Sequence, residues 1–239
     1  MNAIHHARAL AIAVLVAASP VLLHAPAPRA EAQETSVRPG INDAYRDPDV
    51  DRWVDRLESE DRVIFQYRHA IVAALALQPG MDVADVGAGT GFLTRMIARA
   101  VGPEGRVYAV DVVPEFLEHI ASGAKEDGLT NVTTVLGGQK STRLERDAVD
   151  LVLVCDTYHH FEFPHATLGS IRSALRDGGR LVVVDFERVE GVSDAFAIEH
   201  VRAGKGTVTD EIKNAGFRLL REIPLMEHDG QYYLEFGKR

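Results

Sequence analysis

Three glycines at alternate positions near residue 90 constrain the fold of this chain more than any other feature. The segment 83–94 reads VADVGAGTGFLT, with Gly87, Gly89 and Gly91 between two short apolar runs. A strand that turns sharply into a helix leaves backbone N–H groups pointing outward, and glycines let a ligand approach the main chain without meeting a Cβ atom. The segment therefore predicts a strand, a ligand-binding loop and a helix.

The spacing of this loop narrows the class of ligand. A dinucleotide-binding loop needs Gly or Ala at its sixth position, where a helix packs closely on the strand. Counted from Gly87, the sixth residue is Phe92, and no Gly-Lys-Ser/Thr sequence for a triphosphate follows. The loop suits a ligand without phosphates, which argues against a nicotinamide-linked dehydrogenase.

Two acidic residues accompany the loop. Asp85 precedes Gly87 by two residues, and Asp111 ends the next strand-like run, RVYAVD. An acid at the end of the second strand can accept hydrogen bonds from both ribose hydroxyls. The pair predicts an acidic pocket for a cationic nucleoside such as S-adenosylmethionine. The alternative is that the loop only turns the chain and that Asp111 caps a helix starting at Pro114.

Short apolar runs alternate with helical segments from Met81 onward. Strand-like runs occupy 81–86, 106–111, 131–136, 148–156 and 178–186, with helices expected at 92–100, 114–127 and 164–175. Such alternation predicts parallel strands covered by helices on both faces. A last helix over 208–215 should end at Gly216, and a hairpin should turn around Asp229 and Gly230.

The ordered segments VADVGAGTGFLT, VYAVD, DLVLVCDTYHHF and LRDGGRLVVVDFE resemble the motifs of small class I S-adenosylmethionine-dependent methyltransferases, over residues 77–217. The resemblance implies a Rossmann-like α/β fold with a seven-stranded, mostly parallel sheet and an antiparallel last strand. It also implies S-adenosyl-L-methionine as cofactor. By this resemblance the cofactor-binding residues are Asp85, Gly87, Gly89, Gly91, Asp111, Gly138, Gln139 and Asp156.

Different residues of that set are expected to bind different parts of the cofactor. The resemblance assigns the three glycines to the methionine part of the cofactor, Asp111 to the ribose, and Gly138 with Gln139 to the adenine. Gln139 departs from the family pattern, which often has an acid there, although an amide can also bond the adenine amino group. Asp156 is expected beside the cofactor at the end of the fourth strand.

Candidate residues for the methyl acceptor follow Asp156 directly. His159 and His160 are the catalytic candidates, since a histidine can take a proton near neutral pH, and Tyr158 is a substrate candidate. The alternative is that these histidines cap or pack against the next helix. In the segment 198–206, the substrate candidates His200, Arg202 and Lys205 would hold an anionic acceptor, or would form a solvated basic loop.

No metal site is predicted from the sequence. Asp156 and Asp185 are expected to end adjacent strands, with histidines on nearby loops. Magnesium prefers oxygen ligands, yet no second acid follows Asp185 directly, and histidine spacing of the metalloprotease type is absent.

The N-terminus has the order of a secretory signal. A short basic start through Arg8 precedes the apolar stretch 9–23, which Pro20 interrupts. The small residues Ala30 and Ala32 predict cleavage after residue 32, giving an exported, periplasmic or secreted protein without a membrane anchor. An uncleaved anchor is the alternative, but fifteen residues are short of the roughly 20 that span a bilayer. If the signal is not used, the chain stays in the cytoplasm, where S-adenosylmethionine is made.

Composition and length limit the number of domains and the classes of function. The chain has 239 residues and a net charge of −9, which suits one domain and argues against nonspecific nucleic-acid binding. Residues 33–52 are interpreted as a polar linker, and 53–239 as the methyltransferase domain, beginning with two helices over 53–80. Cys155 is the sole cysteine and lies in an apolar run, which favours a buried structural thiol.

The expected function is methyl transfer to a small molecule. The alternative is an exported, non-catalytic nucleoside-binding protein that retains this fold.

Overall fold

The computed structural model describes residues 35–226 and 229–239. The signal peptide predicted for residues 1–32 lies outside the described residues. Within the described part of the chain, no helix has the length and apolar character needed to cross a bilayer.

Seven strands form one sheet in the order β3-β2-β1-β4-β5-β7-β6. All neighbours are parallel except β7, which runs antiparallel to both β5 and β6. This arrangement confirms the predicted Rossmann-like sheet and its C-terminal hairpin. The strands are β1 (Asp82–Val86), β2 (Arg106–Asp111), β3 (Val132–Leu136), β4 (Val149–Cys155), β5 (Leu175–Phe186), β6 (Phe217–Ile223) and β7 (Gln231–Lys238).

Helices cover both faces of the sheet. The α-helices are α1 (Val50–Leu57), α2 (Val63–Gln66), α3 (Arg68–Ala74), α4 (Phe92–Val101), α5 (Pro114–Glu126), α6 (Pro164–Ala174), α7 (Ala195–His200) and α8 (Lys205–Asn214). Two short 3-10 helices, η1 (Asp43–Tyr45) and η2 (Tyr158–His160), complete the set.

The central strand β4 shows why its sequence is apolar at almost every position. Val152 and Val154 belong to the core beneath α6 and α8, whereas Leu151 and Leu153 belong to the core beneath α3 and α4. Successive side chains of a strand point to opposite faces, so both faces must be apolar when both are covered. The continuous run thus reflects burial on two sides.

The N-terminal helices differ from the two that were expected. The polar stretch 58–62 separates α1 from α2, and α1 has no buried residue, because its apolar positions do not reach the sheet. Ile64 of α2 and Ile71 of α3 pack into the core instead. The structure therefore has three short helices in this region.

The segment 198–206, which was expected to be a loop, is partly helical. Its first residues lie in α7, whose N-terminus is capped by the Asp194 side chain accepting a hydrogen bond from the Ala197 N–H at 2.7 Å. Helix α8 begins at Lys205, three residues before its expected start. Its chain then turns at Gly216, with φ of +92°, which confirms the predicted helix end.

Candidate functional site

A cavity of about 690 Å³ opens at the carboxyl ends of β1, β2 and β4. The chain runs from β1 outward to β2 and β3, then crosses back to β4 and β5. Ligands bind in the crevice at such a point of reversal. Ten residues singled out from the sequence line this cavity: Asp85, Gly87, Gly89, Asp111, Gly138, Gln139, Asp156, His159, His160 and His200.

The glycine loop is held in place by its neighbours. The N–H groups of Gly87 and Ala88 both donate to the Val110 carbonyl, at 2.8 and 3.2 Å. Gly87 has φ of +75°, and a Cβ there would lie 2.1 Å from Thr157 Cγ2. Only glycine satisfies both the left-handed backbone and the close approach to Thr157.

Gly91 occupies a different place from the other two glycines. It caps the start of α4 with φ of +78°, and an added Cβ would lie 2.6 Å from Ile120 Cγ1. Gly91 is not among the residues that line the cavity. The physical need for glycine there is the close packing of the loop on α5.

Asp85 and Asp111 are buried acids on the wall of the cavity. The Thr94 hydroxyl donates to Asp85 at 2.6 Å, and the N–H groups of Gly89 and Val113 donate to Asp111 at 2.9 and 3.0 Å. Burial raises the pKa of each carboxyl to about 6. These acids are therefore ionised at neutral pH, but at a cost in desolvation.

This environment fits a cationic nucleoside. Among the described residues, neither Asp85 nor Asp111 forms an ion pair. A buried carboxylate without a cationic partner is stabilised by a ligand that brings hydroxyl donors or positive charge. S-adenosylmethionine offers both, so the residues present fit the cofactor that the sequence predicts.

The raised pKa values predict how cofactor affinity depends on pH. Hydroxyl donors and positive charge favour the ionised acids, so affinity should fall as the pH is lowered through about 6. Titration calorimetry with S-adenosylmethionine at pH 7.5 and pH 5.5 measures this effect. In Asp111→Asn the part of the slope due to Asp111 should disappear; an unchanged slope would show that this acid does not titrate in the binding range.

Gln139 lies in the loop that follows β3. Gly138 pairs with Ser141 in an isolated bridge, which holds Gln139 at the tip of a tight turn. Its side-chain oxygen accepts from Asn42 Nδ2 at 3.4 Å, and its carbonyl accepts from the Thr167 hydroxyl at 3.3 Å. The Gln139 amide, which is predicted to face the adenine, thus contacts Asn42 near the N-terminal end of the described chain.

Part of that N-terminal segment, residues 35–49, forms a wall of the cavity. Tyr45 stacks on Trp53 with ring centroids 4.6 Å apart and meets Phe116 edge-on at 6.3 Å. The Val37 N–H donates to the Glu162 carbonyl at 2.9 Å, which ties the segment to the loop before α6. The polar composition suggested a linker, and gave no sign that Ile41, Asn42, Ala44 and Tyr45 line the site.

Asp156 follows β4 and forms an ion pair with Arg62, at the start of α2. It has φ of +52°, a left-handed conformation that aspartate adopts more readily than most residues other than glycine and asparagine. The arrangement joins the N-terminal helices to the end of the central strand. Arg62 lines the cavity and was not foreseen from the sequence, because nothing local marks it.

The two predicted catalytic histidines are held by different partners. His159 is buried, and its Nδ1 lies 2.7 Å from Asp185 Oδ1, while its backbone N–H donates to Asp185 Oδ2 at 3.0 Å. Since a carboxylate oxygen accepts the hydrogen bond, His159 Nδ1 is the donor, and Nε2 is the ring nitrogen that Asp185 does not hold.

His160 is fixed by Asn42. Asn42 Nδ2 donates to the carbonyl of His160 at 3.1 Å, so its Oδ1, 3.1 Å from His160 Nδ1, acts as the acceptor. The other ring nitrogen of His160, Nε2, lies 3.5 Å from the Tyr45 hydroxyl and 3.4 Å from Nε2 of His200. Burial, with smaller contributions from His159 and His200, lowers the pKa of His160 to about 2, so this imidazole is neutral and a poor proton acceptor near neutral pH.

Three substrate candidates lie outside the cavity lining. Tyr158 is fully buried, and its hydroxyl donates to Glu211 Oε2 at 2.8 Å. Arg202 binds both oxygens of Glu211, at 2.9 and 2.7 Å. Lys205 lies 2.7 Å from both Glu187 and Glu222. Their charges and hydroxyl are engaged in joining α8 to the rest of the domain.

These contacts predict that Arg202 supports stability. Replacing Arg202 with Ala leaves Glu211 without its cation in a mostly buried position, which should lower the free energy of unfolding by about 3 kcal/mol. Urea denaturation of both proteins measures the loss. Affinity for S-adenosylmethionine should be unchanged; a stable variant with a weakened response to an anionic acceptor would instead support the predicted substrate role.

Comparison with known proteins shows the family and the fold of this chain. A family model described as a methyltransferase domain matches residues 77–235. The crystal structure of a SAM dependent methyltransferase from Aquifex aeolicus superposes with a TM-score of 0.71 at 22% identity, covering 81% of this chain and all of that one.

Two curated relatives match parts of the chain. A ubiquinone/menaquinone biosynthesis C-methyltransferase of Burkholderia vietnamiensis is 29% identical over 49% of this chain, and a protein-L-isoaspartate O-methyltransferase of Aeropyrum pernix is 34% identical over 44%. This chain spans only 48% and 39% of the length of those two relatives. The family model covers most of the described residues, and by that match the chain belongs to the methyltransferase domain family.

Proposed function

We propose that the protein transfers a methyl group from S-adenosylmethionine to a small-molecule acceptor. The observation that carries this proposal is that one cavity joins two chemically distinct ends. One end has the glycine loop and the buried acids Asp85 and Asp111. The other end has aromatic rings and the histidines His159, His160 and His200.

The shape of the cavity favours a small acceptor. Its volume of about 690 Å³ falls within the range of about 300–1,000 Å³ that is usual for small-molecule sites. The segment 35–49 and helix α1 form part of its wall, which leaves little room for a folded polypeptide. The net charge of −9 disfavours nucleic acid as the acceptor.

Bound S-adenosylmethionine supplies an electrophilic methyl group on its sulfonium. The chain's own residues contribute binding and orientation: Asp111 accepts hydrogen bonds from the ribose, and Asp85 offers negative charge near the glycine loop. Methyl transfer is an in-line displacement, so holding two reactants in line accounts for much of the rate. The histidine end of the cavity, walled by Phe186 and Phe196, would hold the acceptor.

The relatives support methylation and leave the acceptor atom open. One is named a C-methyltransferase and the other an O-methyltransferase, although both match this chain at similar identity. In this protein the acceptor is set by residues from the N-terminal segment and from α7.

The test is calorimetric titration of S-adenosylmethionine, followed by single-turnover incubation with a panel of phenols, quinols, thiols, amines and carboxylic acids. Formation of S-adenosylhomocysteine together with a methylated acceptor supports the proposal. Binding of S-adenosylmethionine without turnover across the panel supports the non-catalytic nucleoside-binding protein instead. Absence of binding would reject methyl transfer from S-adenosylmethionine.

We further propose that the protein is exported and that its mature form begins at Gln33, on the basis of the sequence of residues 1–32. Expression of the full chain in a Gram-negative host, followed by cell fractionation and mass measurement of the N-terminal peptide, tests this. A cytoplasmic protein that retains residues 1–32 would contradict it.

A further inference from the structure

Three histidines converge at one end of the cavity. His159 and His160 lie in η2, and His200 is the last residue of α7, forty residues further along the chain. One ring nitrogen from each lies within 4.8 Å of the others, and all three residues line the cavity. Sequence spacing gave no indication of this cluster, since it depends on how α7 packs over the end of β4.

The hydrogen bonds around the cluster place the Nε2 atoms of His160 and His200 toward each other, and the Tyr45 hydroxyl lies 3.5 Å from Nε2 of His160. The Nδ1 atoms of His159 and His160 are occupied by Asp185 and Asn42, which leaves Nε2 as the nitrogen of each ring that a metal ion could bind. Nε2 of His160 faces Nε2 of His200 at 3.4 Å. This is the arrangement found around metal-bound imidazoles, where a carboxylate or carbonyl fixes the other nitrogen of the ring.

We propose that His159, His160 and His200 form a binding site for a transition-metal dication of the zinc type, with its remaining coordination position open to the cavity. Two nitrogens about 2.05 Å from a tetrahedral zinc lie roughly 3.3 Å apart. The separation of 3.4 Å between Nε2 of His160 and Nε2 of His200 matches this distance. Three imidazoles with one open position are typical of catalytic zinc sites.

The donor atoms determine the class of ion. Magnesium and calcium need oxygen ligands, whereas neutral imidazoles suit zinc and its first-row neighbours. A second group of Asp156, His159 and Asp185 also lies within 4.8 Å. Its acids are already engaged, Asp156 by Arg62 and Asp185 by the backbone and ring of His159. The three histidines are therefore the preferred ligands.

The surroundings also suit a bound cation. Phe196 stacks on His200 at 4.9 Å and Phe186 meets His159 edge-on at 5.8 Å, which limits access of water from that side. Arg38 and Arg56 are nearby positive charges and oppose a cation at this position. The carboxylate of Asp185 behind His159 supplies compensating negative charge.

The experiment is metal binding by the full chain, carrying no histidine tag and freed of metal by chelation. Titration with Zn²⁺ should show one site of micromolar affinity or tighter, and Co²⁺ at the same site should give the visible absorption of a tetrahedral complex. His200→Ala and His160→Gln should each weaken this site at least hundredfold. His69→Ala, at an exposed position on α3, is the matched control and should bind as the native protein does.

Other histidines of the chain, including His5 and His6, contribute equally to all four proteins and cancel in the comparison. Circular dichroism on heating shows whether the variants remain folded. An unchanged stoichiometry and Co²⁺ spectrum in His200→Ala and His160→Gln would overturn the proposal, and so would the absence of a tetrahedral Co²⁺ spectrum in the native chain. No step of this test depends on methyl transfer, so its failure is distinct from failure of the proposed function.

Discussion

Gly87→Ala is expected to weaken binding of S-adenosylmethionine at least hundredfold, about 2.7 kcal/mol. The backbone at Gly87 has φ of +75°, where an L-residue is strained, and the new Cβ would lie 2.1 Å from the side chain of Thr157. The loop must then move away from Thr157, which carries its Oγ1 hydrogen bond to the Gly87 carbonyl at 3.2 Å. Titration calorimetry measures the loss of affinity.

Gly191→Ala is the matched control for this substitution. Gly191 has the same φ of +75°, but an added Cβ would meet nothing within 4 Å. Both variants bear the cost of the backbone conformation, and only Gly87→Ala adds the collision beside the cavity. Equal affinity in the two variants would show that the loop's shape is not required for binding. Thr157→Gly in the Gly87→Ala background should recover part of the affinity if the collision is the cause.

The order of strands and helices was predictable because each element carries its own local signal. Proline at the first turn marks the starts of α5 and α6, and Gly216 marks the turn after α8. The fully apolar sequence of β4 indicated a central strand with two covered faces. These signals depend on periodicity and backbone conformation, which a short stretch of sequence contains.

The cofactor end of the site was predictable for a related reason. Asp85, Gly87 and Gly89 lie on one continuous segment, and Asp111 ends the adjacent strand β2. Parallel strands end at the same edge of a sheet, so the position of each acid in its strand places it beside the loop. The hydrogen bond from the Gly89 N–H to Asp111 is the direct result.

The acceptor end could not be assembled in the same way. Asn42, Arg62 and His200 come from three separate segments, and their positions depend on how those segments fold over the sheet. The basic character of 198–206 indicated a substrate role for Arg202 and Lys205, yet both side chains form ion pairs with glutamates of α8 and the nearby strands. A charge in the sequence does not reveal its partner when that partner comes from another element.

The sequence also could not decide between a catalytic and a structural role for the histidines. From the sequence, His159 and His160 were two adjacent rings that a strand end would place near the cofactor. The structure adds the separate partners, Asp185 and Asn42, that fix each ring, and a third ring from α7. The three rings come together only in the folded chain, so the adjacent pair in the sequence could not show this cluster.

Asp111→Ala is expected to weaken binding of S-adenosylmethionine at least tenfold, about 1.4 kcal/mol. The substitution removes the acceptor for the ribose hydroxyls, and it also removes the partners of the Gly89 and Val113 N–H groups that shape the loop. Asp111→Asn keeps one acceptor oxygen and a similar volume, so its loss should be smaller. The exposed Asp177 provides the control Asp177→Ala, which changes the net charge equally and lies at the start of β5. Equal affinity for Asp111→Ala and Asp177→Ala, measured by calorimetry, would mean that the acid after β2 caps the chain toward α5 and does not bind the nucleoside.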